Sequence, residues 1–174
     1  MTTPAPHVVV RRERPGDEEG IRYVNREAFG QPGEGQIVDA LRLRSQRSIS
    51  LVAVSSGEDV IGHILFTPVT LDRTALPLMG LGPMSVLPVW QRRGTGSMLV
   101  AAGLDACHES GAVAVVVVGH ASYYPRFGFV RASLHGLRCE YDVPDDVFMV
   151  KELAPGALAG HGGTVRYPVE FGAA

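Results

Sequence analysis

Net charge of either sign, cysteine and long apolar runs are what this sequence lacks. Lysine and arginine total 16 against 18 acidic residues, which leaves a net charge of −2 at neutral pH. That balance argues against a nucleic-acid binder held by bulk charge, though Arg92 with Arg93 would form a local basic patch. The two cysteines, Cys107 and Cys139, make neither a metal spacing nor a disulfide framework. His63, His108, His120, His135 and His161 are scattered without a zinc-type spacing, so no metal site is expected. The longest apolar run, Ala112 to Val118, is far too short to cross a bilayer and fits a strand. Residues 1–7 show no charged start followed by an apolar segment, so no secretory leader is expected. The reading is a cytoplasmic protein without membrane or nucleic-acid partners, a monomer or a homodimer.

What is present suits one compact domain: 174 residues, 45% of them hydrophobic, with no internal repeat and no low-complexity linker. His7–Arg11 reads as a first strand. Asp17 is placed to cap a helix over Glu18–Phe29, where Ile21, Val24, Ala28 and Phe29 recur at helical spacing. After the glycine-rich break Gly30–Gly35, a second helix is expected over Glu34–Arg44. Ile49–Val54 and Val60–Leu71 read as hairpin strands. Met79–Leu87 is the next strand, and Pro83 inside it points to an edge or a bulge. A helix over Gly94–Ser110 ends before Gly111, and Val113–Val118 follows as a strand buried on both faces. Strand, helix and strand form a right-handed crossover. Short strands are expected near Phe129–Ser133 and Phe148–Leu153, and Leu158–Pro168 reads as irregular.

The chemistry-bearing feature is Gln91-Arg92-Arg93-Gly94-Thr95-Gly96, between the strand and the alanine-rich helix. A glycine turn that opens a helix leaves backbone N–H groups unpaired at the positive end of the helix dipole, which makes an anion site. It is not the dinucleotide fingerprint: that needs three glycines in order and an acidic residue after the next strand, which here ends in Gly119-His120. It is not a P-loop either, because the Gly-Lys-Ser/Thr element is missing.

The motif Gln-x-x-Gly-x-Gly after Val-x-Pro resembles the acetyl-CoA site of the GCN5-related N-acetyltransferase (GNAT) superfamily. Tyr123-Tyr124-Pro125-Arg126-Phe127-Gly128-Phe129 resembles that family's tyrosine element, and the tail from Arg138 to Phe171 resembles its YhbS-like branch. The resemblance implies an α/β (α+β) fold, with a mixed, mostly antiparallel sheet flanked by helices and strands splayed at the cofactor cleft. It implies one domain over 7–171 with a C-terminal extension from about 134. It implies transfer of an acetyl group from acetyl-CoA to a primary amine of a small molecule or a protein. The reading of a different class is a non-catalytic acyl-CoA-binding module.

The resemblance also implies roles. Backbone N–H groups from Arg92 through Arg93, Gly94, Thr95 and Gly96 to Ser97 hold the pyrophosphate, with Gln91 opening the motif. Met84, Ser85 and Val86 lie along the pantetheine arm, and a backbone N–H near Val86 faces the thioester carbonyl. Tyr124 is the general acid, protonated at neutral pH, and Tyr123 is its neighbouring decoy. Glu34 and His120 are rival candidates for the base, with Glu27 nearby; Glu34 equally suits a helix N-terminus, and His120 equally suits bracing of the tyrosine loop. Arg22, Arg26, Arg42, Arg44 and Arg47 pose a question: an arginine facing inward would favour an acceptor bearing a carboxylate, whereas outward ones say nothing. The tail is either a lid carrying His161 or a wrap anchoring Tyr167 and Phe171.

Overall fold

The fold is described from a computed structural model, which covers residues 7–44 and 46–173. The leader question therefore falls on residues 1–6, outside the described range. Among the described residues, nine strands and three α-helices follow in the order β1 (Val9–Arg12), α1 (Glu18–Phe29), α2 (Gly33–Arg44), β2 (Ile49–Val54), β3 (Val60–Leu71), β4 (Leu78–Val86), α3 (Thr95–Glu109), β5 (Ala114–Val118), β6 (Val130–Arg131), β7 (Leu137–Cys139), β8 (Phe148–Glu152) and β9 (Gly163–Arg166). The sheet order is β1-β2-β3-β4-β5-β8-β6, with β9 joining the end of β3 and pairing β7. β4–β5 and β7–β9 are parallel, and all other pairs are antiparallel. No helix among the described residues is long and apolar enough to cross a membrane.

Alternation along β3 divides the core. Ile64 and Phe66 join Leu99, Val100 and Cys107 of α3 on one face. Leu65, with Val52 of β2, meets Ile21, Ile37 and Leu41 of α1 and α2 on the other. α3 lies so close that a Cβ on Gly103 would stand 2.1 Å from the Phe66 ring. The helix ends in a Schellman turn: Gly111 N–H donates to the His108 carbonyl and Ala112 N–H to that of Cys107. Burial pushes the Cys107 thiol up to about 12, which leaves it an inert core residue.

Two expectations need correction and one is resolved. Asp17 sits at the N-cap of α1, but its carboxylate takes the Arg11 guanidinium at 2.7 Å and the Arg14 N–H rather than capping the helix. Of the two alternatives for Pro83 the bulge holds: β4 is central, and the register slip opposite Ile64 and Phe66 marks it. The tail is not irregular throughout, because β9 forms within it and docks on Thr70 and Leu71. Valine-and-arginine pieces this short carry no periodic signal, and their pairing partners lie far away in sequence.

Beneath α1 runs a buried polar chain. Asn25 Nδ2 faces His63 Nδ1 at 3.5 Å and donates to the Ile21 carbonyl; His63 Nε2 lies 2.8 Å from Ser50 Oγ, which donates to Glu13. With Asn25 as donor, His63 is the neutral Nε2–H tautomer. Burial, with help from Arg42, holds its pKa down at about 3.

Candidate active site

β4 and β5 run parallel and pair only from Leu78–Leu81 against Ala114–Val117. Beyond that point they part, so both strand ends border a gap. Leu87 N–H donates to Ile61 O at 2.9 Å, in line with the register Gly62↔Val86 and His63↔Ser85. Backbone bonding alternates along an antiparallel ladder, so Ser85 bonds toward β3 while Met84 and Val86 turn their backbone groups to the gap. The Val86 carbonyl is taken by Gln91 Nε2 at 2.9 Å. Gln91 therefore pins the end of β4 and leaves the Val86 N–H available.

The turn after β4 is bent by two left-handed residues, Arg92 (φ 59) and Gly94 (φ 87). For Arg92 that conformation is strained by about 1 kcal/mol. Gly94 is the N-cap of α3, no side chain caps the helix, and its first turn holds no acidic residue. The first intrahelical donor is Met98 N–H, to the Gly94 carbonyl at 3.0 Å. The N–H groups of Thr95, Gly96 and Ser97 are the helix's unpaired donors. Thr95 is buried, and Arg93 leans over the Trp90 ring at 5.9 Å.

Gap and turn open into one cleft of about 1190 Å³. Of the expected residues, Met84, Ser85, Val86, Gln91 and Arg92 line it, as do Gly94, Gly96 and Ser97. Glu34, His120 and Tyr124 reach it from other elements. Arg93 and Thr95 do not line it. Glu27 faces outward and pairs with Arg26 at 3.5 Å.

The two tyrosines have distinct places. A 3-10 turn over Tyr124–Phe127 is braced by the His120 carbonyl, which accepts from the N–H groups of both Tyr123 and Tyr124. The Tyr124 ring lies against Gly119, where a Cβ would come within 2.4 Å of it, and edge-on to Phe129 at 5.6 Å. Its hydroxyl takes no protein hydrogen bond among the described residues, and burial pushes its pKa up to about 12, with Tyr123 adding to the shift. The Tyr123 hydroxyl instead stands 3.0 Å from where a Gly96 Cβ would be, and Arg126 stacks on its ring at 4.5 Å. Tyr123 thus closes over the start of α3. His120 is exposed at the rim.

The far wall was only partly expected. Tyr167 follows β9 and lies over Gly80, whose missing side chain makes room for its ring. Tyr141 and Phe171 flank it at 5.8 and 5.4 Å between ring centroids. All three line the cleft, so the tail is a wrap; His161 is exposed and does not line it. A chain of widely spaced aromatics has no local pattern that would have flagged Tyr141. Glu34, in the first turn of α2, has one carboxylate oxygen buried without a partner. Two of the arginines are engaged elsewhere: Arg22 and Arg42 bind Asp39 at 2.7 and 2.6 Å, and Arg42 also binds Glu13. The Arg44 side chain lies outside the described residues, and Arg47 is exposed.

Comparison with known proteins agrees with this geometry. The family model described as an acetyltransferase (GNAT) domain matches residues 9–132. The chain is similar to an uncharacterized N-acetyltransferase, YhbS, of Escherichia coli K12: 35% identity over 164 residues, covering 94% of this chain and 98% of that protein. A second relative from the same strain, the uncharacterized N-acetyltransferase YjhQ, is 36% identical over 83% of this chain and 85% of its own. Among solved structures, YhbS from Escherichia coli in complex with CoA superposes with a TM-score of 0.93 over 99% of this chain and 96% of that one. A GNAT family acetyltransferase from Brucella melitensis in complex with acetyl-CoA gives 0.79 at 35% identity, over 95% of this chain and 98% of that one.

Proposed function

The chain belongs to the GNAT acetyltransferase family, and from that premise we propose that it acetylates a primary amine seated in the α2 and tail half of the cleft. It is an acetyltransferase, with acetyl-CoA as its cosubstrate, whose thioester supplies an activated acetyl group. The observation that carries the reading is the convergence of the Arg92–Ser97 turn, the β4–β5 gap and Tyr124 on one cleft.

The residues present fit the cosubstrate. No atom lies within 4 Å of a Cβ position on Gly94, so that side of the turn is open to a ligand. The unpaired N–H groups of Gly96 and Ser97, which line the cleft, hold the phosphates, and Arg92 adds a positive charge beside them. The gap-facing backbone groups of Met84 and Val86 extend the edge of β4 to the pantetheine arm. The Val86 N–H holds negative charge that develops in the gap. Tyr124, kept neutral by burial, donates its hydroxyl proton toward the departing sulfur. Glu34, the carboxylate among the described residues lining the cleft, receives the proton of the amine. His120 at the rim is the second candidate for that step.

Calorimetric titration of the purified protein with CoA and acetyl-CoA tests the reading. Saturable binding, followed by thiol release in the presence of amines, is the expected result. No binding to folded protein would refute it. Binding without thiol release from any amine would make the protein an acyl-CoA-binding module instead.

A further inference from the structure

The two glycines of the turn serve different needs. Gly94 takes φ 87, a conformation that favours glycine. Gly96 is not among the residues of positive φ, so its backbone would accept a side chain. What its missing Cβ admits is the Tyr123 hydroxyl, 3.0 Å from that position, with Met84 and Val86 at 4.0 Å. Tyr123 therefore reaches from the turn after β5 to the start of α3. Its hydroxyl takes no protein hydrogen bond among the described residues, and it is not one of the unpaired atoms sealed away from the cleft.

Arg126 is fixed on the same ring. Its Nε donates to the Tyr123 carbonyl at 3.0 Å, and its guanidinium carbon lies 4.5 Å from the ring centroid. Those two contacts set the plane of the fork. Its outer N–H groups take no carboxylate among the described residues, although Arg126 is exposed and lines the cleft. Around the start of α3 the cleft carries Arg92 and Arg126 and no acid; Glu34, the acidic lining residue among those described, belongs to α2.

A held guanidinium fork and a phenol, both unpartnered beside unpaired backbone N–H groups, suit a phosphate. The fork meets two oxygens at once, and the phenol donates to another. Building on the acetyltransferase reading above, we propose that Tyr123 and Arg126 clasp the diphosphate of acetyl-CoA against the start of α3. The diphosphate is the group held by the Gly96 and Ser97 N–H groups in that reading, and the Tyr123 hydroxyl stands beside Gly96. The adjacent tyrosines then divide the cosubstrate: Tyr123 binds its diphosphate and Tyr124 serves its sulfur.

Calorimetry with CoA and with dephospho-CoA tests this, because dephospho-CoA keeps the diphosphate and lacks the ribose phosphate. Tyr123→Phe keeps the ring under Arg126 and removes only the hydroxyl. It should raise the Kd for both ligands about tenfold, the loss of one hydrogen bond to a charged group. Arg126→Gln should raise both Kd values by about tenfold or more, and that loss should shrink as salt rises. Tyr124→Phe should change both values much less than Tyr123→Phe does. Urea unfolding of the same samples should show the parent's midpoint for Tyr123→Phe and Arg126→Gln.

Unchanged Kd values in either folded variant overturn the proposal. So does a loss confined to CoA, which would move the contact to the ribose phosphate, or an Arg126→Gln loss that salt leaves untouched. A Tyr124→Phe loss as large as that of Tyr123→Phe also overturns it. Each of these outcomes spares the acetyltransferase reading, whereas a folded parent protein that binds neither ligand brings down both.

Discussion

Gly119→Ala is the sharpest probe of how the fold places Tyr124, the proposed proton donor. The added Cβ would lie 2.4 Å from Tyr124 Cε2 and 3.1 Å from Cδ2. Carbon atoms rest at about 3.5–4.0 Å, so the ring must retreat by roughly 1 Å. Phe129 and Tyr123, with ring centroids at 5.6 and 5.1 Å, leave it little room to do so. Gly119 is not among the residues of positive φ, so alanine is compatible with the backbone and the perturbation is steric. Overpacking of this kind costs about 1–3 kcal/mol of stability. A misplacement of about 1 Å lowers a rate by roughly 10²-fold, or about 2.7 kcal/mol in the barrier. Tyr124→Phe alone should lower kcat by about 10²–10⁴-fold. It should shift stability by less than about 0.5 kcal/mol, because the hydroxyl has no protein partner. The assay is thiol release at saturating acetyl-CoA, with CoA affinity followed by calorimetry and stability by urea unfolding. If Gly119 acts through Tyr124, Gly119→Ala should add almost nothing to kcat in the Tyr124→Phe background. Fully additive losses, or a kcat within twofold of the parent, would refute the reasoning.

Three further outcomes are expected. Gly96→Val places a branched side chain against the Tyr123 hydroxyl, Met84 and Val86, and should weaken CoA binding at least tenfold, about 1.4 kcal/mol, by calorimetry. Gly103→Ala should destabilise the fold by about 1–3 kcal/mol in urea, because its Cβ would lie 2.1 Å from the buried Phe66 ring; a stabilised variant would contradict the packing of α3 on β3. His63 is depressed to about 3 by burial, so the folded chain refuses a proton that the unfolded chain accepts below about 6.5. Its contribution is complete above that pH and fades as pH falls to about 3, a loss on the order of 4–5 kcal/mol that His63→Gln should abolish from the acid unfolding profile.

Local signals made much of the site legible. A glycine turn between an apolar run and an alanine-rich segment marks a strand-to-helix junction wherever it occurs, because only glycine reaches φ 87 without strain at the helix cap. β2, β3 and α1 were bounded by their own periodicity and by the turns beside them. Pro83 signalled an irregular β4, but sequence left open whether an edge or a bulge was meant, since that depends on what pairs with it. Side-chain alternation likewise leaves open how two adjacent tyrosines, both of which line the cleft, divide it between them.

The sequence by itself determined most of the elements and the glycine turn that opens α3, because these rest on interactions within a few residues, where spacing is geometry. A tyrosine and a carboxylate entered as candidate proton carriers only through the family resemblance. Only the tertiary structure decided that Tyr167, pressed onto Gly80 some 87 positions earlier, walls the same cleft as Glu34. It also decided that Gln91 serves the Val86 carbonyl, that Tyr123 guards Gly96, and that Arg22 and Arg42 are held by Asp39. Each is a contact between segments brought together by sheet pairing and packing. No local pattern encodes such a contact, because it is set by burying apolar faces whose partners are distant in the chain.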